Sequence, residues 1–186
     1  YTNLNTLSLH DALPIYVTAH QLQITQAWQT HGHFDHIFGC QWAYETFGIC
    51  PMLHPADEHR YLHAGEELQL FLHQRVEIPV PSLAAYLADG QMLSFGNHDF
   101  EVIATPGHTP GGVCFYCASE KVLITGDSLF EGSIGRCDLP EGDMDALIQS
   151  LQTRVMTLPD DVRIYPGHGR SSTIGHERTS NPYLIS

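Results

Sequence analysis

The sequence has few basic residues: 8 lysines and arginines stand against 21 aspartates and glutamates, for a formal net charge of −13. The average field of such a protein repels phosphate backbones and anionic lipid, so we expect neither nucleic acid nor a membrane as a partner. Small anionic substrates stay possible, because a bound divalent cation can reverse the local sign of the potential.

Long apolar runs are missing as well. No stretch approaches the roughly 20 apolar residues that a membrane-spanning helix needs, so we expect a soluble protein. The 186 residues, of which 42% are hydrophobic, are enough to form one hydrophobic core but too few for a second domain with a core of its own. The composition therefore predicts a single domain.

The first fifteen residues lack the basic and apolar regions of a secretory signal, which gives no support for export. Their segment LSLHDALPI resembles translated sequencing-adapter sequence. We expect residues 1–15 to be a non-native leader and residues 16–186 to form the functional domain.

Cysteine is too sparse for a disulfide scaffold: the chain has five, an odd number. A reducing cytoplasm is the simpler expectation. Cys114 and Cys117 form a CxxC within an apolar run, where residues three apart on a strand point to opposite faces. We expect buried thiols there, with a redox or zinc role as the alternative.

Apolar periodicity predicts a layered α/β domain but does not give the number of sheets. Predicted strands lie at residues 22–28, 51–54, 91–95, 100–104, 112–117, 121–125 and 162–165. Predicted helices lie at residues 36–47, 55–74 and 143–157, with Gly48 ending the first, Asp143 capping the last, and the second bordering the site. Residues 173–182 read as a polar tail.

The strongest local signal is Thr30-His31-Gly32-His33-Phe34-Asp35-His36, which follows a predicted strand. Three imidazoles and a carboxylate so close together are costly without a cation, and these groups are ligands that zinc and other first-row metals accept. His31 and His33 can reach one ion while Asp35 and His36 reach a neighbour. The alternative is a solvated loop rich in histidine.

Three further segments place a potential ligand at the end of an apolar run: TPGHTPGG with His108, ITGDSLF with Asp127, and IYPGHG with His168. Four segments with the same layout make coincidence improbable. His10 lies in the leader, and the other histidines match no ligand position: His20, His54, His59, His63, His73, His98 and His176. We expect them at the surface or lining a cleft, with His54 and His59 as the candidates for the cleft.

In this order the four segments resemble the metallo-β-lactamase superfamily, with HxHxDH, a single His, a bridging Asp and a last His. The resemblance implies a four-layer αβ/βα sandwich, here lacking the N-terminal strands, with the site at one edge between two sheets. It implies two divalent ions, most often Zn²⁺ but sometimes Fe or Mn. It assigns the first ion to His31, His33 and His108, the second to Asp35, His36 and His168, and the bridging position to Asp127.

The chemistry that this resemblance implies is two-metal hydrolysis. The ions share a water, lower its pKa and hold it as a hydroxide against the substrate carbonyl. Asp35 and Asp127 are then the catalytic carboxylates, and no protein nucleophile is required.

The segments GDSLFEGSIGRCDLPEGD and YPGHGRSSTIGHERTSNPYL resemble the compact glyoxalase II-like (hydroxyacylglutathione hydrolase-like) proteins. This implies cleavage of an acyl thioester such as S-lactoylglutathione. Arg136 falls where these proteins place a basic residue toward the carboxylate of the thiol, although an ion pair with Asp138 is an equal alternative. The longer glyoxalase II enzymes bind glutathione with a C-terminal helical domain, and we expect no such domain from the few residues after Tyr183. The resemblance therefore does not identify the thiol of the substrate.

Other functions are compatible with the same ligands. An iron-dependent persulfide dioxygenase shares the fold and uses one iron held by two His and an Asp. A third hypothesis is that the chain is a truncated metal-binding fragment without catalytic activity. A β-lactamase or a nuclease fits less well, although the motifs exclude neither.

Overall fold

The computed structural model describes residues 15–74 and 76–185. Within these ranges short strands and helices alternate, and the strands form three sheets. The leader predicted at residues 1–15 lies outside the described residues, except for Ile15.

The first sheet consists of three short parallel strands, β1 (Ala27–Trp28), β2 (Pro51–Leu53) and β3 (Ala85–Tyr86), with β2 in the middle. Side chains of β2 alternate between the two faces, as in any pleated strand. Leu53 packs with Tyr61 on one face, and Met52 packs near Trp28 on the other. The first sheet is therefore covered on both faces.

The second sheet and a small hairpin contain the other strands. In chain order these are β4 (Met92–Phe95), β5 (His98–Ala104), β6 (Val113–Cys117), β7 (Val122–Gly126), β8 (Leu129–Phe130), β9 (Ser133–Ile134), β10 (Arg163–Pro166) and β11 (Ser172–Thr173). Strands β8 and β9 form the hairpin, and the six others pair in the order β11-β10-β7-β6-β5-β4. Since β7 and β10 pair in parallel and β6 is antiparallel to both β5 and β7, strands β5, β7 and β10 end at the same edge.

The helices lie in two groups. Between β1 and β3 are α1 (Phe34–Ile37), α2 (Cys40–Phe47), a 3₁₀ turn (Pro55–Asp57), α3 (Glu58–Leu62) and α4 (Ala64–Leu72). Later in the chain are α5 (Met144–Ser150), which continues as a π-helical turn (Leu151–Val155), and α6 (Ile174–Ser180). Asp143 caps α5 by accepting a bond of 2.9 Å from the Ala146 N–H, and α2 ends at Gly48 with φ +70°.

Three apolar clusters hold the elements together in four layers. The first helix group packs on the first sheet around Leu53 and Tyr61. The two sheets pack through Val102 and Phe115, and the second helix group covers the outer face of the second sheet around Leu147. The order helix, sheet, sheet, helix confirms the predicted sandwich.

Several predicted elements differ in detail from those observed. The strand predicted at residues 22–28 shortens to Ala27–Trp28, and the helix predicted at 55–74 is divided into three pieces. The polar tail prediction was wrong: residues 173–182 contain α6, whose Ile174 is fully buried. Two of the buried positions on this segment, Glu177 and Asn181, are polar, so the segment lacks the apolar periodicity that predicts a helix.

Cys114 and Cys117 are both buried and free. Cys114 packs toward the helices and Cys117 approaches Ser119, so the two thiols do not form a common site. Among the described residues, no helix combines the length and apolar character needed to cross a membrane.

Candidate metal centre

The seven predicted side chains lie in segments that follow the ends of four strands, at one edge of the molecule. His31 and His33 follow β1, Asp35 and His36 lie in α1, His108 follows β5, Asp127 follows β7 directly, and His168 follows β10. Because β5, β7 and β10 end at the same edge, residues separated by up to 137 positions in sequence come together there.

The first cluster consists of His31, His33 and His108, which are 1%, 5% and 5% exposed. One ring nitrogen of each lies within 4.8 Å of the others. The Nε2 atoms of all three are buried and have no hydrogen-bond partner among the described residues. Three imidazoles thus direct unpaired nitrogens into one small space.

Burial keeps these three imidazoles neutral. It lowers the pKa of His31 well below its ordinary value and lowers that of His33 to about 3, with repulsion from the neighbouring imidazoles as a second cause. The pKa of His108 is also lowered, again chiefly by burial. A neutral imidazole keeps the lone pair that metal binding requires.

The second cluster, Asp35, His36 and His168, is more open to solvent. Nε2 of His168 lies 3.1 Å from Oδ2 of Asp35 and 3.2 Å from Nε2 of His36. The Asp35 and His168 side chains are 39% and 58% exposed. This side of the centre therefore faces the solvent from which a substrate arrives.

Asp127 lies between the two clusters. Its Oδ1 is 3.3 Å from Nε2 of His36, and its Oδ2 is 3.7 Å from Nε2 of His108 and 3.6 Å from Nε2 of His168. Burial alone raises the pKa of this carboxyl, but the proximity of His36, with smaller contributions from His108 and His168, outweighs burial, so the net pKa is lowered. Asp127 is therefore an anion that reaches both clusters.

The donor set fits a pair of divalent cations. Buried polar atoms without partners are costly in a native structure, and here the three Nε2 atoms and Oδ1 of Asp127 are such atoms. Imidazole nitrogen and carboxylate oxygen are ligands that Zn²⁺ and other first-row ions accept. Cations bound by these atoms would satisfy them.

A family model described as the Metallo-beta-lactamase superfamily matches residues 7–168. The chain belongs to the metallo-β-lactamase superfamily.

Relatives and solved structures support this membership. The hydroxyacylglutathione hydrolase GloC of Haemophilus influenzae is 37% identical over 168 residues, which cover 84% of this chain and 74% of the relative. The crystal structure of the BLEG-1 B3 metallo-beta-lactamase has a TM-score of 0.87 at 34% identity and covers 96% of this chain and 86% of its own. That of TTHA1623 in a di-iron-bound form has a TM-score of 0.84 at 35% identity, covering 95% and 86%.

These similarities show that the chain is a metallo-hydrolase of this superfamily. They do not agree on a substrate, because one relative is named for a hydroxyacylglutathione and another for a β-lactam.

Contacts behind the superfamily ligands fix their orientation. Nδ1 of His108 donates to the backbone oxygen of Arg136 at 2.7 Å, which leaves the lone pair on Nε2. Nδ1 of His31 lies 3.1 Å from Oγ1 of Thr30. The imidazoles are thus held with Nε2 toward the centre.

Two carboxylates near the candidate metal centre, Asp57 and Glu67, were not predicted from the sequence. Asp57 is fully buried behind the first cluster. Oε1 of Glu67 lies 3.3 Å from Nε2 of His33 and 2.6 Å from a guanidinium nitrogen of Arg60. Burial raises the pKa of Glu67, although Arg60 opposes the shift. Both residues lie in the helical segment expected to border the site. Acidic residues on such a segment usually face solvent, so nothing in the sequence distinguishes these two from exposed carboxylates.

A cavity of about 300 Å³ opens beside Glu67. Its walls are α3, α4 and the loop after Arg136, and its lining residues are His59, Arg60, His63, Glu66, Glu67, Leu139, Pro140 and Glu141. The expectation that some unassigned histidines line a cleft applies to His59 and His63, whose rings stack at 4.2 Å. His54 instead accepts a bond from the Ala56 N–H.

The Arg136 side chain forms an ion pair at the surface. Its guanidinium donates to both carboxylate oxygens of Asp138 at 2.8 and 2.9 Å, and both side chains are more than half exposed. The alternative ion pair is therefore present, and a role in substrate binding stays a proposal.

Proposed function

We propose that the protein hydrolyses an acyl thioester similar to S-lactoylglutathione, with two divalent ions, preferably Zn²⁺, at the centre. The observation that carries this proposal is the position of Asp127. Its Oδ1 approaches His36 of the second cluster, and its Oδ2 approaches both His108 of the first and His168 of the second, as expected for a group that holds two ions at a fixed separation.

The ligand roles follow from the two clusters. We assign His31, His33 and His108 to the first ion, Asp35, His36 and His168 to the second, and Asp127 to both. When bound, such ions supply Lewis acidity that activates water near neutral pH and polarises a substrate carbonyl. The chain itself supplies fixed orientation: the His108 imidazole is held by a backbone oxygen, and Asp35 and Asp127 are the anions at the reacting atoms.

Substrate contacts are proposed on the side of the loop after Arg136. The ion pair between Arg136 and Asp138 is exposed and therefore weak, so a substrate carboxylate can replace Asp138 on the guanidinium at little cost. The neighbouring cavity of about 300 Å³ can take the apolar part of a small ligand against Leu139 and Pro140.

The named activity of GloC supports a thioester, and the superfamily membership supports the metal chemistry. We propose a small-molecule partner, neither nucleic acid nor membrane, because of the net charge of −13. The five free thiols favour a reducing cytoplasm.

The test combines metal analysis with a substrate panel. Purified protein is assayed with S-lactoylglutathione, an uncharged acyl thioester, a chromogenic β-lactam and glutathione persulfide, before and after chelation and after return of Zn²⁺, Fe²⁺ or Mn²⁺. We expect two bound ions per chain and thioester cleavage that chelation removes and a divalent ion restores. The variant Asp127→Asn, which keeps the shape of the side chain and removes its charge, should lose this activity.

Three results would contradict the proposal. Faster turnover of the β-lactam than of every thioester would indicate a lactamase. Oxygen consumption with the persulfide and one bound iron would indicate a dioxygenase. Metal-dependent stabilisation without turnover of any substrate would indicate a non-catalytic metal-binding protein.

A further inference from the structure

Asp57 is a carboxylate with no solvent exposure, at the end of the 3₁₀ turn Pro55–Asp57. It accepts three hydrogen bonds: Oδ2 from the Gly32 N–H at 2.8 Å and the Thr109 hydroxyl at 2.7 Å, and Oδ1 from the Gly111 N–H at 2.6 Å. A buried carboxylate is costly unless donors surround it, and short bonds to an anion are the strong ones.

The three donors lie on the two loops that carry the first cluster. Gly32 separates His31 from His33, while Thr109 and Gly111 follow His108. One carboxylate therefore links the loop after β1 to the loop after β5, which are about 77 residues apart in sequence.

Both glycines allow this close approach. A Cβ atom at Gly111 would lie 2.7 Å from Oδ1 of Asp57, and one at Gly32 would lie 3.0 Å from the Asp57 backbone oxygen. Real Cβ atoms essentially never show the first distance, and the second is tighter than most real Cβ contacts, so Asp57 would have to shift in either case. The loops therefore carry glycine where Asp57 packs against them.

We propose that Asp57 is a positioning residue for the first metal ion, a role that rests on the proposed metal centre. It touches none of the ligand atoms. By fixing the loop between His31 and His33 and the loop that follows His108, it makes their Nε2 atoms converge before any ion binds. Its three hydrogen bonds involve none of the segments that carry Asp35, His36 and His168, so the second ion depends on it much less.

The test measures ion affinity rather than turnover. Metal-free wild type and Asp57→Asn are titrated with Zn²⁺ in competition with a chromophoric chelator. The asparagine keeps the size of the side chain but replaces one acceptor oxygen by a donor that faces other donors. We expect one ion to bind roughly 10- to 100-fold more weakly, as is typical for loss of a group that orients metal ligands, and the other ion to bind as in wild type.

Double variants identify the ion that is weakened. Adding His168→Ala to Asp57→Asn should remove the remaining tight ion, whereas adding His33→Ala should leave that ion in place. Glu177→Gln is the matched control. Glu177 is also fully buried and accepts bonds from the Gly132 N–H, Asn181 and Ser172, away from the first-cluster loops. It should lower the melting temperature without a selective loss of one ion.

If Asp57→Asn does not fold, Thr109→Val takes its place, since it removes one donor without changing the shape of the side chain. We then expect about a three- to tenfold selective weakening of the first ion. Unchanged affinities for both ions, or equal weakening of both, would overturn the positioning role. Wild type that binds no ions would instead refute the proposed function, so the two failures are distinguishable.

Discussion

Nδ1 of His108 donates to the backbone oxygen of Arg136, 2.7 Å away, while the Arg136 guanidinium bonds to Asp138 in solvent. The main chain and the side chain of Arg136 thus have separate contacts. The main chain orients the His108 imidazole, and the side chain, which is paired with Asp138 at the surface, is the contact proposed for a substrate. Substitution of the side chain leaves the backbone contact in place.

Arg136→Ala should therefore raise KM by about tenfold for thioesters whose thiol carries a carboxylate, because the lost contact joins two charged groups. An uncharged acyl thioester should show no change, and the metal content should equal that of wild type. Steady-state kinetics on the matched substrates measure this. Asp138→Ala serves as a control that frees the guanidinium and should not raise KM. An equal rise in KM for both substrates would show that the guanidinium does not recognise the carboxylate of the thiol.

Asp127→Ala and His108→Ala should each abolish turnover while the fold is retained, because each removes a group that no neighbour can replace at the centre. Circular dichroism and metal analysis check the two parts of this prediction. We expect native-like spectra and fewer than two bound ions. Near-normal activity in either variant would contradict the assignment of these ligands.

The candidate ligands could be identified in the sequence because each one follows the end of an apolar strand and belongs to a residue type that metals bind. The pattern is local, as in the segment from His31 to His36, and needs no knowledge of distant contacts. Their convergence depends on the shared edge at which β5, β7 and β10 end, which the sequence indicated only through the family resemblance.

Other features could not be read from the sequence. Asp57 and Glu67 are buried, but in the sequence each is one acidic residue among several on a short helical segment. Only packing against loops distant in the chain distinguishes them from solvated carboxylates. The helix α6 was missed for a similar reason, since its Glu177 is buried by bonds to Gly132 and Asn181.

Glu67→Gln should lower the free energy of unfolding by about 1–3 kcal/mol, because it leaves the Arg60 guanidinium with a weaker buried partner. Glu141→Gln is the matched control. Glu141 bonds to the same guanidinium at 2.9 Å but is 62% exposed, so its loss should cost less than about 1 kcal/mol. Urea unfolding of metal-free protein gives both values without a contribution from bound ions. Equal effects of the two substitutions would show that burial does not decide the strength of these pairs.

Gly107, which precedes His108, connects the centre to the second helix group. It has φ +138°, its N–H donates to the Thr109 oxygen at 2.9 Å, and its oxygen accepts from the Asp143 N–H at 2.7 Å. A Cβ atom here would clash with the Asp143 oxygen and would lie 2.5 Å from both Cβ and N of Leu147, in the middle of α5. Space and backbone conformation both require glycine.

Gly107→Ala should therefore lower the free energy of unfolding by more than about 2 kcal/mol, since the clash adds to about 1–3 kcal/mol of backbone strain. It should also weaken the first ion, because moving α5 away displaces the turn that carries His108. The control is Gly90→Ala, at φ +73° with no atom within 4 Å of the new Cβ. That variant carries strain alone, about 1–2 kcal/mol, and should bind both ions normally. If both variants lost the same stability and kept both ions, the contact between α5 and the His108 turn would have no part in forming the centre.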